Sequence, residues 1–370
     1  MTSDQLAQAL RAAVLAQRFG ETPDARQQGG PVAELPSLDL AVACFPAGGA
    51  PVAANVLFSR ELPDGLVARM AGGGFGAVDN VGFHGDVRDA AGTSIAWQPG
   101  ADWAAIAFPA WFGSGPRFVA PYPASLLKVM VAVGVARLVD SGRSGWALPL
   151  AFGGQTRAVG DWLHDMIIVS SNDATSALVA HLHARGAIRR EAGREVHNEL
   201  HDLFRAEGLP GLMLRNTQPD GGWGNGAGAG VGQIQMTAWD ALRLMWRLDA
   251  GAPPAPWLPA GTPPLVSEAS RAVIRRALDG QQLNQILSSG THRGLPGWVE
   301  GIPGRYAHKT GTTENYASDA GIVQGDGGLH YLIAVTTNLG SRYQAHADAA
   351  TTWKLPALGG AVHAWLKSRA

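Results

Sequence analysis

Cysteine is nearly absent from this chain: Cys44 is the single one in 370 residues. One thiol excludes an internal disulfide framework and says little about compartment. Net charge is close to nothing, −1 from 29 basic and 30 acidic residues, which argues against a general nucleic-acid binder or a partner chosen by strong charge. Long apolar runs are missing as well. Val129 to Val135 is short and contains Gly134, well under the roughly 18 residues that a bilayer span needs. Met1 to Gly20 lacks the basic start, unbroken apolar stretch and small-residue cleavage site of a signal peptide. It reads as an amphipathic helix with Leu6, Leu10, Val14 and Leu15 on its apolar side. These absences predict a soluble, cytoplasmic monomer with no membrane or nucleic-acid partner, or a periplasmic or secreted one if a leader has been removed.

The length suffices for a large core. Glu21 to Pro36, rich in Gly, Pro and Gln, reads as a loop, and Leu38 to Phe45 as a strand. Between Gly48 and Gly100 the pattern is broken by glycine clusters, with short strands expected at Asn55 to Phe58, Gly65 to Met70 and Thr93 to Trp97. Ala104 to Trp111 and Arg117 to Ala120 also read as extended. The middle of the chain is helical by its three-to-four apolar spacing: Val159 to Val169, Asp173 to Arg185, Ala187 to Glu207, then, after a loop from Gly208 to Gln233, Thr237 to Leu248, Ser267 to Leu278 and Gln282 to Leu287. Strands return at Tyr306 to Thr310, Ala317 to Gln324 and Leu329 to Thr337, and Leu355 to Ser368 closes as a helix. Strand-forming ends around a helical centre predict an α/β protein of the α+β type, one two-lobed domain over residues 1–370. Its antiparallel sheet lobe, flanked by helices, takes 20–122 and 290–370, and an all-helical lobe takes 123–289.

Three short stretches carry polar residues that chemistry can use. In Pro121-Tyr122-Pro123-Ala124-Ser125-Leu126-Leu127-Lys128 the prolines hold the approach extended, and a helix is expected to begin at or just before Ser125. The spacing of three puts Ser125 and Lys128 on one face. A hydroxyl in the first turn meets the positive end of the helix dipole, and a desolvated lysine beside it can accept its proton. Ser170-Ser171-Asn172 lies between two helical stretches; Ser170 can relay a proton, and the Asn172 amide can bond a substrate carbonyl and orient Lys128. In His308-Lys309-Thr310-Gly311-Thr312-Thr313, Gly311 leaves room for a substrate beside the strand edge. Lys309 offers charge and Thr310 and Thr312 offer hydroxyls to a carboxylate. The N–H groups of Thr312 and Ser125 can form an oxyanion hole. Each stretch alone has an ordinary structural reading: a helix cap with a surface lysine, an inter-helix turn, a plain strand.

Together and in this order, Ser125-x-x-Lys128, Ser170-Ser171-Asn172 and Lys309-Thr310-Gly311 resemble the penicillin-recognising serine hydrolases, most of all class A β-lactamases. Ala317 to Val323 and Tyr331 to Val335 resemble the strand pair that follows the family's lysine triad. The likeness runs from about Val119 to the C-terminus and leaves Gly48 to Gly100 as an enlarged part of the sheet lobe. It implies the β-lactamase/D,D-peptidase fold, Ser125 as the acylated nucleophile and Lys128 as its activating base or proton relay. It further implies Ser170 as proton shuttle, Asn172 as an amide contact, and Lys309, Thr310 and Thr312 on the substrate carboxylate. No cofactor or metal is implied, and the expected partner is a small acyl substrate, a β-lactam or a peptide-like compound. β-Lactam hydrolysis with an antibiotic-resistance role, D,D-carboxypeptidase, esterase or acyltransferase activity, and a β-lactam-binding sensor without turnover all stay open.

Two departures stand out. Class A β-lactamases use a loop glutamate to free the acyl-enzyme, but between Gly208 and Met236 the single carboxylate is Asp220, which reads either as the substitute deacylation base or as part of a turn-forming Pro-Asp-Gly. Ser171 stands where the family often has aspartate. Elsewhere, His197 and His201 are spaced like metal ligands on a helix but lack the His-Glu-x-x-His order. Ala71 to Gly76 is glycine-rich without a P-loop lysine, and Ser114 does not meet the Gly-x-Ser-x-Gly elbow. Trp223 either lines the cleft or packs in the core.

Overall fold

The computed structural model describes residues 1–90, 94–223, 233–288, 304–343 and 354–369. The N-terminal helix α1 (Ser3–Ala16) starts at Thr2, whose side chain and that of Gln5 cap each other's backbone N–H groups. Its buried face is Leu6, Ala7, Leu10 and Val14; Leu15, expected on that face, is 46% exposed. Next come β1 (Leu38–Cys44), β2 (Val52–Ser59), β3 (Leu62–Val67), the one-turn helix α2 (Ala71–Gly74), β4 (Gly82–His84), β5 (Ala110–Gly113) and β6 (Arg117–Val119). The middle third holds α3 (Lys128–Asp140), the hairpin β7–β8 (Pro149–Phe152, Gln155–Ala158), α4 (Val159–Ile168) and α5 (Asn172–Ala184). It continues with the hairpin β9–β10 (Ile188–Glu191, Arg194–Asn198), α6 (Glu199–Ala206), the pair β11–β12 (Leu212–Leu214, Ile234–Met236), α7 (Ala238–Leu248) and α8 (Glu268–Asp279). The chain closes with β13 (Gly304–Thr312), β14 (Ala317–Gly325), β15 (His330–Thr337) and α9 (Lys354–Lys367).

One six-stranded sheet, ordered β13-β14-β15-β1-β2-β3, joins both ends of the chain, and each neighbouring pair within it is antiparallel. Every residue of β1 and β2 is buried because helices cover both faces. Leu40, Val42, Val56, Ile333 and Val335 pack in one core with α1 and α9. Ala41, Ala43, Leu57, Ala320 and Leu332, from the other face, join the larger core with α3, α4, α5 and α7. Among the described residues no helix is long and apolar enough to cross a membrane.

The central lobe is not all-helical, since it carries three small two-stranded pieces. The expected helix from Ala187 to Glu207 is a hairpin followed by a short helix. Ala192 and Gly193, at φ 47° and 76°, turn the chain back, and Arg194 to Asn198 pairs with Ile188 to Glu191. Gln282 to Leu287 is not helical either; Gln281 takes its place by donating to the Ile167 carbonyl, and Ile286 and Leu287 are buried under the sheet. The expected strand from Ala104 to Trp111 shrinks to β5 at its end. Around Trp97 there is a turn with one isolated bridge at Ser94, while Thr93 lies outside the described residues.

Candidate active site

The approach to Ser125 ends in a left-handed residue, Ala124, at φ 48°. That conformation is costly for a side chain other than glycine's. It tips Ala124 to Leu127 into a 3₁₀ turn, and the α-helix begins only at Lys128. In a 3₁₀ turn residues three apart eclipse, so Ser125 and Lys128 still share a side. Ser125 is half-buried, whereas Lys128 opens the wholly buried face of α3 and is 0% exposed.

Lys128 Nζ does not bond Ser125 among the described residues. It donates to the Ser170 carbonyl (2.6 Å), Ser170 Oγ (3.0 Å) and Asn172 Oδ1 (2.9 Å). Burial pushes its pKa down to about 7. Ser170 takes φ 57° at the end of α4, and that turn aims both its carbonyl and its hydroxyl at the lysine. Ser171, in the place of the family's aspartate, caps α5 by accepting from Ala174 N.

Lys309 arrives from β13. Its Nζ donates to the same Ser170 Oγ (3.1 Å) and to the Thr310 carbonyl (2.7 Å). Burial first, and the nearby Lys128 second, hold it well below the ordinary lysine range. Two amines thus meet on one hydroxyl, joining three stretches far apart in sequence.

Alternation along β13 puts Lys309 and Gly311 on one face and His308 and Thr310 on the other. His308 is fixed between Asp319 Oδ1 (2.8 Å) and Asn284 Oδ1 (2.7 Å) and stacks on Tyr306. Thr310 is buried and Thr312 half-buried at the strand end. Gly311 also gives way to a neighbouring part of the chain. A Cβ there would lie 2.6 Å from the Pro123 carbonyl oxygen, 2.6 Å from Ser318 Oγ and 2.7 Å from Leu126 N. The missing side chain therefore makes room for the turn that carries Ser125. Ser318, opposite Gly311 in the register, donates its hydroxyl to the Pro123 carbonyl and ties that turn to β14. No feature of the sequence marks Ser318, because its role depends on strand register.

The loop from Arg215 to Trp223 leans on α5: a Cβ on Gly221 would sit 2.3 Å from the Ser176 carbonyl oxygen. Asp220 is exposed and accepts from Gly222 N (3.0 Å), a turn contact within its own loop. Trp223 does reach the site, with Lys128 Nζ 5.7 Å from its ring centroid. The remaining constellations resolve into structure. His197 belongs to β10 and His201 to α6, where His201 Nε2 accepts from Leu214 N (3.0 Å). Among the described residues no group of His, Cys, Asp and Glu could hold a metal. The carbonyls of Phe75 and Gly76 in the glycine-rich turn accept from Arg243 and Trp239, and Ser114 is exposed.

No curated protein matches the chain. Among solved structures, PBP-A in a point-mutant form, captured as an acyl-enzyme complex with penicillin G, aligns over 99% of this chain and 97% of its own at TM-score 0.55 and 16% identity. An ancestral class A β-lactamase (GNCA) aligns over 99% of both chains at TM-score 0.52 and 17% identity. These likenesses establish the β-lactamase-like fold. Residues 119–355 match the beta-lactamase enzyme family, and with that match spanning well over half of the sequence, the chain belongs to this family of penicillin-recognising serine hydrolases.

Proposed function

We propose that the protein is a serine hydrolase that forms an acyl-enzyme on Ser125 from a β-lactam or a related amide or ester. The observation carrying this is Ser170 Oγ held between Lys128 Nζ and Lys309 Nζ beside a half-buried serine. With its pKa near 7, Lys128 spends much of its time as a neutral amine at neutral pH and can take the Ser125 proton. The N–H groups of Ser125 and Thr312 would receive the charge forming on the carbonyl oxygen. Ser170 Oγ would pass the proton to the leaving nitrogen and be resupplied by Lys128. Lys309, whose proton burial and the nearby Lys128 make easier to lose, would hold its charge more firmly against a substrate carboxylate.

Slow release of the acyl group is the version best supported. No described carboxylate contacts Lys128, and its pKa is lowered by burial with no acidic group opposing it. Asp220 is engaged in its own turn, which favours a long-lived adduct over rapid turnover.

Penicillin G is the natural probe, given the acyl-enzyme in the similar PBP-A structure. Intact-mass measurement should find one adduct on the wild type, none on Ser125→Ala, and formation slowed on the order of 10³-fold or more in Lys128→Ala. The acylation rate should rise with pH through about 7 and level off above it, as Lys128 loses its proton. An equal adduct on Ser125→Ala would end this reading.

A further inference from the structure

The 208–236 stretch supplies no free acid to the site, but it does supply an indole. Trp223 is half-buried, packs against the main core, and its ring centroid stands 5.7 Å from Lys128 Nζ. Three polar neighbours already occupy other directions around that nitrogen: the Ser170 carbonyl, Ser170 Oγ and Asn172 Oδ1. The loop is fastened along its length. Asn216 N donates to Glu195 Oε2 (2.9 Å), and Arg190 Nη1 donates to the Thr217 carbonyl (3.3 Å). Buried Thr217 pairs its Oγ1 with His183 Nε2 (3.0 Å). Gln218 N donates to the Gly222 carbonyl (2.7 Å), closing the turn just before the tryptophan. Trp223 is therefore presented by a braced turn. The residues after it, Gly224 to Gly232, are only Gly, Asn, Ala and Val and bring no acid of their own.

We propose that Trp223 determines the lifetime of the acyl-enzyme: its indole covers Lys128 on the loop side and denies hydrolytic water access to that amine. This rests on the Ser125 acyl-enzyme reading. In the hydrolysis that is slowed, a water oxygen bonds the acyl carbon while the bond from that carbon to Ser125 Oγ breaks. One water proton goes to Lys128 Nζ, and one proton returns to Oγ. A water placed for that transfer needs the side of the nitrogen that the ring faces. The same ring steadies the lysine once it is protonated during acylation, because a cation within about 6 Å of an indole face is attracted to it. The indole thus assists the first half-reaction and obstructs the second, so Trp223 selects for substrates whose acyl group is meant to stay.

The test is a pulse of penicillin G followed by removal of free ligand and timed intact-mass measurement, with thermal melts to verify folding. Trp223→Ala should still form the adduct, more slowly, and shorten its lifetime by about tenfold or more. Trp223→Phe, which keeps an aromatic cover, should stay within about threefold of wild type, and Trp223→Leu should fall between; these two carry the comparison if the alanine variant fails to fold. Equal lifetimes in wild type and the folded variants, with the adduct forming in each, would overturn the role of Trp223 alone. No adduct on the wild type would overturn the acyl-enzyme reading itself, and this proposal with it.

Discussion

Two buried cations in this protein sit three residues after a polar side chain, and they live in opposite electrostatic worlds. Arg243 on α7 follows Asp240, and Lys128 at the head of α3 follows Ser125. Both are 0% exposed and both have tryptophan rings near them: Trp239 and Trp257 at 5.6 and 5.2 Å from the guanidinium, Trp223 at 5.7 Å from the amine. Arg243 is fully compensated. Its Nε and Nη2 bond Asp240 Oδ1, its Nη1 reaches the Phe75 carbonyl, and the second Asp240 oxygen accepts from Gly211 N. Lys128 meets only neutral oxygens, which cannot repay the desolvation of a full charge, and so gives up its proton near pH 7. The partners decide the outcome: a carboxylate keeps Arg243 charged in a structural pair, whereas the neutral oxygens of Ser170 and Asn172 leave the Lys128 proton weakly held.

That contrast can be broken from either side. The largest effect is expected from Asp240→Asn, which strands the Arg243 charge in the core and should lower the unfolding free energy by about 3–5 kcal/mol in urea titration, leaving any adduct yield of the surviving folded fraction intact. Gly311→Ala comes next. Its new methyl meets backbone atoms on the nucleophile's turn, so it should cost about 1–3 kcal/mol in overpacking and slow acylation by roughly tenfold or more. Smallest, and of opposite sign, is Lys128→Met, which should abolish rapid acylation yet stabilise the fold by about 1 kcal/mol at pH 7. The sign follows from proton linkage. The folded-state pKa, about 7, lies below the ordinary 10.5, so the folded protein binds fewer protons than the unfolded chain between those values. Wild-type stability then rises with pH across that window. The melting-temperature advantage of Lys128→Met should be greatest at or below pH 7 and shrink toward pH 10.

Much of this was legible in the residues. Strand-forming ends pointed to the antiparallel sheet that both ends of the chain build, and three spaced polar stretches pointed to the cluster on Ser170. Regular periodicity made α1, α5, α7, α8 and α9 readable. The β9–β10 hairpin was not, because Arg189, Arg190, Glu191, Arg194 and Glu195 suit a helix surface, and the turn hinges on left-handed Ala192, which carries no composition signal. The closeness of Gly311 to the Pro123 turn is not legible in the residues, because which atoms crowd a glycine depends on how β13 lies against that turn. Asp220 looked like a candidate base because chain distance alone cannot tell a free carboxylate from one capping its own turn.

The order of the large sheet has a further bearing on the cell that makes this protein. β1 is laid down early, but it needs β15 beside it, and Lys309 is delivered by β13, the strand farthest from the N-terminal hairpin. A growing polypeptide on the ribosome therefore cannot bring Lys309 to Ser170 until nearly all of the chain has emerged, and the cluster forms in the same event that completes the sheet.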